Sequence, residues 1–410
     1  MNSSCILGIV TNTGSSSLSE SQSRTFVEFF AGVGLVHEAL NGRWQCVLAN
    51  DNDLKKVAAY AANFPSVPLS SADIRDLRPE DIPQVDLATA SFPCIDLSQA
   101  GGRVGIHGEY SGVVWAFLDH IRALKREGRA PRFLLLENVP GLLTLHGGRS
   151  IDLLLREVAD LGYAIDLVQV DARHFLPQTR NRVFVLAGLG LARSLGTMPD
   201  THIRRYKVRE VFQRNRHLPW HFFNFPALPE RQLQLREVLE DIDESDARWW
   251  NAERLDYFWR HLEHDHFTRL KSMVDAGVTT VMTAVRRGRR RGLREQIFNL
   301  RFDGLASCLR TPKGGSSIQF IVQVRSGQVA VRRITGLESA RLQGVRLSGS
   351  SPDFVMPETE QAALHAFGDA VCVPAVRWVV EHTVEAVLTR PSLALAPVHG
   401  QFTLDLPLTG

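Results

Sequence analysis

The sequence of 410 residues holds only five cysteines, Cys5, Cys46, Cys94, Cys308 and Cys372, and no two of them form a Cys-x-x-Cys pair. That scatter excludes a disulfide framework and argues against zinc, so reduced thiols and no metal site are expected. No apolar run approaches the roughly 20 residues of a membrane helix, and the N-terminus lacks the basic flank and apolar centre of a signal peptide. A soluble, cytoplasmic protein with no membrane partner is expected. A charge excess is also missing, with 47 Lys and Arg against 44 Asp and Glu, a net of +3. The sum names no partner, which leaves the distribution along the chain to do so.

What is present is length and pattern. A chain this long predicts one large domain with a smaller insertion, and 44% hydrophobic residues suffice for a sizeable core. Residues 1–24 are Ser-rich and weakly apolar and predict a disordered tail. From Thr25 apolar runs alternate with helical-period segments: TFVEFF, then GLVHEALN; WQCVLAN, then LKKVAAYAANF; VDLATASF, then VVWAFLDHIRALKREG; RFLLLENV, then IDLLLREVADLG; finally YAIDLVQVD and RVFVLAGL. This alternation predicts an α/β fold, a doubly wound, mostly parallel sheet over 25–190. Between 191 and 330 the chain turns irregular, rich in Arg, His and Trp, and predicts a smaller inserted domain. Residues 331–390 return to helix, including AVRWVVEHTVEAVL, and complete the first domain; 391–410 predict a loose tail.

Several short stretches carry chemistry. FFAGVG, Phe29 to Gly34, follows the first strand and opens a helix, where glycine lets a backbone approach a ligand; a tight turn alone would use glycine too. Asp51 ends the second strand about 20 residues on, where an acid would hold a nucleotide ribose. Asp73, after the third strand, is placed to accept from an adenine amine. Cys94 in SFPC ends the fourth strand and Glu137 in LLLENVPG the fifth, at the carboxyl edge where open sheets place ligands. A carboxylate ending an apolar run is costly unless paired or facing a cleft. QTRNRVFVL carries Gln178 and the alternating pair Arg180 and Arg182, aimed at a bound polar ring or else solvated on an edge strand. RRGRRRG, with Arg286, Arg287, Arg289, Arg290 and Arg291, is either a phosphate-contacting segment or a solvated charge run.

Taken in order, FFAGVG, SFPC, ENV, QTRNR, RRITGLESARLQG and FGDAVCVPAV make the chain resemble the DNA cytosine-5 methyltransferases of prokaryotic type, over nearly everything from Phe26 to Leu388. The resemblance implies a Rossmann-like catalytic domain with an inserted target-recognition domain. It also implies S-adenosyl-L-methionine as cofactor, S-adenosyl-L-homocysteine as product, and duplex DNA as substrate. It assigns Cys94 as the nucleophile that adds to cytosine C6, and Glu137 as the residue holding N3 and the exocyclic amine. Arg180 and Arg182 would support the ring oxygen and position the loop. It assigns the cofactor to Phe30, Ala31, Gly32, Val33, Gly34, Asp51, Asn52, Asp73, Ile74, Pro93, Asp369 and Ala370. DNA is left to Gln178 and the five arginines of 286–291. Gln99 to Gly112 would be a mobile loop closing on a flipped base. A monomer on DNA, in a restriction-modification setting with a separate endonuclease, is the implied context. Four positions depart from the family pattern: Glu28 for Asp, Asp51 for Glu, Ile95 for a polar residue and Asp369 for Asn. A tRNA cytosine-5 methyltransferase and a catalytically inactive DNA-binding relative are the alternatives.

Overall fold

The computed structural model describes residues 24–93, 112–291, 293–312, 318–345 and 354–389, with backbone only at 289–291 and 293–295. The expected tails, Cys94, and nearly all of the expected loop Gln99 to Gly112 lie outside these residues.

The chain runs β1 (Thr25–Phe29), α1 (Leu35–Leu40), β2 (Gln45–Asn50), α2 (Leu54–Asn63), β3 (Leu69–Ser70), β4 (Leu87–Ala90), α3 (Val113–Arg126), β5 (Phe133–Asn138), α4 (Arg149–Asp160), β6 (Tyr163–Asp171) and β7 (Asn181–Leu189). The seven strands form one sheet in the order β3-β2-β1-β4-β5-β7-β6, parallel except where β7 runs antiparallel to both its neighbours. Every residue of β4, β5 and β6 is buried, which is why those segments read as largely apolar runs: both faces are covered, and the polar exceptions in β6 include Asp166. Starting at β1 the chain builds outward through β2 and β3, then returns to start again at β4. The reversal makes a crevice beyond the carboxyl ends of β1 and β4, where open α/β sheets bind ligands.

The change of core comes later in the chain than composition led us to expect. Met198, Val208, Val211, Phe212 and Trp220 lie in the same apolar cluster as α3 and α4. Arg204 donates to Asp166 of β6 in a fully buried ion pair. Residues 191–220 are therefore packed on the large sheet. Beyond α5 (Tyr206–Arg214) and the single turn α6 (Leu235–Val238), two helices, α7 (Ala252–Arg260) and α8 (His264–Asp275), pack on a second sheet. Its strands are β8 (Thr280–Arg291), β9 (Leu293–Arg301), β10 (Gln319–Arg325) and β11 (Gln328–Arg333), antiparallel in the order β11-β10-β8-β9. The stretch expected to be irregular thus contains a regular sheet, and Arg286–Arg291 lie in its strand β8.

Helices α9 (Gly336–Gln343), α10 (Glu360–Asp369) and α11 (Val373–Val380) bring the chain back. α9 starts in a capping box of Thr335 and Glu338, and Glu338 also pairs with Arg332 in the core. α11 lies against α1, where Arg377 donates to the carbonyls of Ala39 and Glu38. The stretch Glu360–Thr389 is, against expectation, long and apolar enough to cross a membrane, but 67% of its apolar window is buried inside the fold.

Candidate active site at the sheet reversal

The turn after β1 is strained where it meets the crevice. Phe30 and Gly32 both have positive φ, 56° and 59°, a conformation that a glycine tolerates and a phenylalanine adopts only under constraint. A Cβ on Gly32 would meet nothing within 4 Å, so its outer side opens on free space. Gly34 is glycine for another reason: a Cβ there would fall 2.5 Å from the Phe64 ring. Ala31 and Val33 are buried and serve the core cluster beneath the turn.

Three neighbouring segments are wired to that turn. Asp51 Oδ2 accepts from Gly32 N–H at 2.8 Å and Oδ1 from Asp53 N–H at 2.9 Å. Each carboxylate oxygen keeps a second lone pair, which suits it to ribose hydroxyls. Burial raises the Asp51 carboxyl above its usual range. Asn50 donates to the carbonyls of Ser70 and Ala72, fixing the approach to Asp73. Asp73 itself differs from expectation. Its carboxylate takes Arg75 N–H and Nε on Oδ1, and Arg75 Nη2 and Asn52 Nδ2 on Oδ2. Four donors fill four lone-pair sites, and Arg75 holds the carboxyl down at about 2. An adenine amine finds no free acceptor there unless Arg75 swings away. Ile74 likewise points its side chain into the core, and its carbonyl lies 2.7 Å from Nε2 of the buried His120. Asp369 reaches the same rim through Lys56, whose Nζ lies 3.0 Å from Asp369 Oδ2. Lys56 was not foreseen; nothing in its helical setting marks it.

The reacting side of the crevice is built from β4, β5 and β7. Asn138 donates to Phe92 O at 3.2 Å and so ties the segment before Cys94 to the end of β5. Pro93 is half-buried beside it. The antiparallel register pairs Glu137 with Phe184, which puts Arg182 diagonally across from Glu137. Arg182 Nε lies 2.8 Å from Glu137 Oε1, both largely buried. Desolvation raises the Glu137 carboxyl, opposed by Arg182 and Arg180. A buried carboxyl with a raised proton affinity can donate that proton to a ring nitrogen.

Arg180 and Gln178 require correction. Arg180 is 1% exposed; Nη1 donates to Leu309 O at 3.0 Å and Nη2 to Ala370 O. Those donors clasp chain segments, so of the arginine pair only Arg182 sits on Glu137. Ala370 offers its carbonyl to that clasp and to Gln343. Gln178 is fully buried, with Nε2 donating to Leu342 O at 2.6 Å and Oε1 accepting from Leu309 N–H at 3.0 Å. It cannot touch DNA from there. The alternation of β8 separates the arginines at its described end: Arg287 stands on one face and Arg286 on the other.

Residues 24–385 match the family model described as C-5 cytosine-specific DNA methylase. The chain belongs to that family. It is 26% identical to the Type II methyltransferase M.Bsp6I of Bacillus sp. (strain RFL6) over 88% of this chain and 98% of that protein. With M.DsaV of Dactylococcopsis salina it shares 27% over 88% and 86%. A shorter match, 39% identical to M2.BsuMI of Bacillus subtilis (strain 168), covers 40% of this chain and 41% of that one. The solved structure of S. pombe Dnmt2 methyltransferase superposes with a TM-score of 0.55 at 16% identity, covering 89% of this chain and 99% of that one, and shares the fold. The expected Rossmann-like methyltransferase fold and the expected enzyme class, DNA (cytosine-5) methyltransferase, are both borne out.

Proposed function

We propose that this enzyme transfers a methyl group from S-adenosyl-L-methionine to C5 of a cytosine flipped out of a specific duplex DNA sequence, through a transient bond between Cys94 sulfur and C6. The observation that carries the reading is the buried Glu137–Arg182 pair at 2.8 Å, set beside the Ser91–Pro93 segment that leads to Cys94. Cytosine C5 is too weak a nucleophile to attack unaided. Attack of the Cys94 thiolate on C6, with N3 taking the Glu137 proton, pushes electron density onto C5. Arg182 then steadies the carboxylate left behind, and it stands where negative charge on the ring would develop. After methyl transfer a water molecule takes the C5 proton, the sulfur departs as thiolate, and N3 returns its proton to the Glu137 carboxylate, which restores the aromatic ring.

The cofactor fits the residues present. The open side of Gly32 and the spare lone pairs of Asp51 suit its ribose, and the Lys56–Asp369 pair suits its charged amino-acid end. When bound, it supplies an electrophilic methyl on a sulfonium, and S-adenosyl-L-homocysteine leaves. Ala31 and Val33 hold the turn, while Phe30, Asn52, Ile74, Pro93 and Ala370 line or support the same rim.

Duplex DNA would lie across the second sheet, whose strand β8 carries the arginines. We place the enzyme in the cytoplasm as a monomer on DNA, in a restriction-modification setting with a separately acting endonuclease, as the Type II names of its relatives support. The test is methyl transfer to duplex DNA mapped by bisulfite sequencing, together with trapping on a duplex carrying 5-fluorocytosine. A covalent adduct lost in Cys94→Ala is expected. Methylation of tRNA but not duplex DNA, or an adduct that survives Cys94→Ala, would overturn the proposal.

A further inference from the structure

The hairpin of β8 and β9 has one face that belongs to the active site's side of the molecule. Along β8, Met282 and Ala284 point into the core under α7 and α8. Thr283, on the opposite face, donates to Leu305 O at 2.9 Å. Its cross-strand partner Arg301 donates to Thr179 Oγ1 at 2.6 Å, one residue before Arg180. That face therefore looks onto the catalytic strand β7. Moving outward, the next pair on it is Val285 with Asn299, and the next is Arg287 with Ile297.

Two side chains there have nothing to bind among the described residues. The half-buried Asn299 makes no hydrogen bond through its amide, and the exposed Arg287 makes no ion pair. A buried structural amide is satisfied, as Gln178 is; the Asn299 amide, without a hydrogen-bond partner among the described residues, keeps both a donor and an acceptor. An amide and a guanidinium are also the two side-chain groups that read purines in the major groove: Asn pairs with adenine N6 and N7, Arg with guanine O6 and N7. A two-stranded ribbon fits that groove. Asn299 and the partner of Arg287 are two residues apart along β9, about 6.8 Å at the rise of an antiparallel strand, and two base-pair steps span roughly the same distance.

We propose that Asn299 and Arg287 read an adenine and a guanine about two base-pair steps apart in the major groove of the target site. The proposal rests on duplex DNA being the substrate. It separates Arg287 from its neighbours: a phosphate contact needs only charge, whereas guanine needs the planar fork.

The experiment is methylation of a randomised duplex library by the full-length enzyme and by Asn299→Ala, Arg287→Lys and Arg287→Ala, each read by bisulfite sequencing. The parent should show a fixed adenine and a fixed guanine. Asn299→Ala should lose discrimination at the first alone and Arg287→Lys at the second alone, each by on the order of 10- to 100-fold. An unchanged sequence preference in Asn299→Ala and Arg287→Lys, with Arg287→Ala merely slower on every sequence, would overturn the assignment and leave Arg287 a phosphate contact. A parent inactive on every duplex would instead sink the substrate reading, and this one with it.

Discussion

Arg180 on the seven-stranded sheet and Arg287 on the four-stranded one carry the same charge in opposite settings. Arg180 is walled in, its guanidinium clasping the carbonyls of Leu309 and Ala370, 129 and 190 residues away along the chain. Arg287 stands exposed on a strand that projects beyond its own core. Buried charge in this molecule fixes geometry; exposed charge waits for a partner. The Glu137–Arg182 pair lies between these extremes, buried yet at the edge of the crevice, and that is where chemistry is to be expected.

The sharpest test of the contrast is Cys94→Ala, which should reduce methyl transfer below detection while a gel-shift assay finds specific DNA binding retained. Next comes Glu137→Gln. Loss of a positioned proton donor should slow methylation by roughly 100- to 10,000-fold. Because the proposed step has Glu137 hand a proton to N3, the protonated form is the competent one and the parent's kcat/KM should decline as pH rises through that group's titration, which burial shifts upward. Arg180→Ala tests the buried side of the comparison. It leaves the buried carbonyls of Leu309, Gly368 and Ala370 without their donor and opens a cavity, and should destabilise the fold by about 3–5 kcal/mol in denaturant unfolding, an effect that a merely solvated arginine would not show.

Glu28 probes the same theme more gently. It lies under the strained turn, contacts Tyr60, and is pushed by burial from the usual 4.5 up to about 8. The folded state thus keeps a proton that the unfolded chain releases, so stability is full below about pH 4.5 and declines as pH rises toward 8. His37, Cys46, Tyr60 and Asp51 surround it; His37 is lowered to about 4 and Cys46 raised to about 12, so neither titrates in the folded state between pH 6.5 and 8. Over that interval the parent should lose about 2 kcal/mol that Glu28→Gln does not lose. The smallest effect belongs to the other arginines of 286–291: replacing Arg286, Arg289 and Arg290 together should flatten the salt dependence of DNA binding by about one unit of slope per lost phosphate contact.

Much of the seven-stranded sheet was legible because a strand covered on both faces must be apolar throughout, and Glu137 was legible as the acid that breaks such a run. Gln178 and Arg180 were misread, since a polar residue entering a strand looks the same whether it meets solvent or a distant carbonyl. Their partners at 309, 342 and 370 are brought close only by the closing of the fold. The second sheet escaped notice because arginines occupy both faces of β8, erasing the period of two that marks a half-buried strand. Asp73 was correctly placed after the third strand, yet its engagement by Arg75, two residues on, is a local matter that composition does not reveal.

Glu385, near the end of α11's continuation, receives hydrogen bonds from Arg43 and Trp44 and lies 3.7 Å from Arg24. The first strand and helix are thus closed off by residues made more than 300 positions later. During synthesis on the ribosome the glycine turn emerges early but cannot be locked until α11 arrives, so the nascent enzyme should stay silent toward DNA until almost its whole length has been translated. The same closeness makes a circular permutant that links residue 389 to residue 24, opened at an exposed loop such as Leu195, a variant that should still fold.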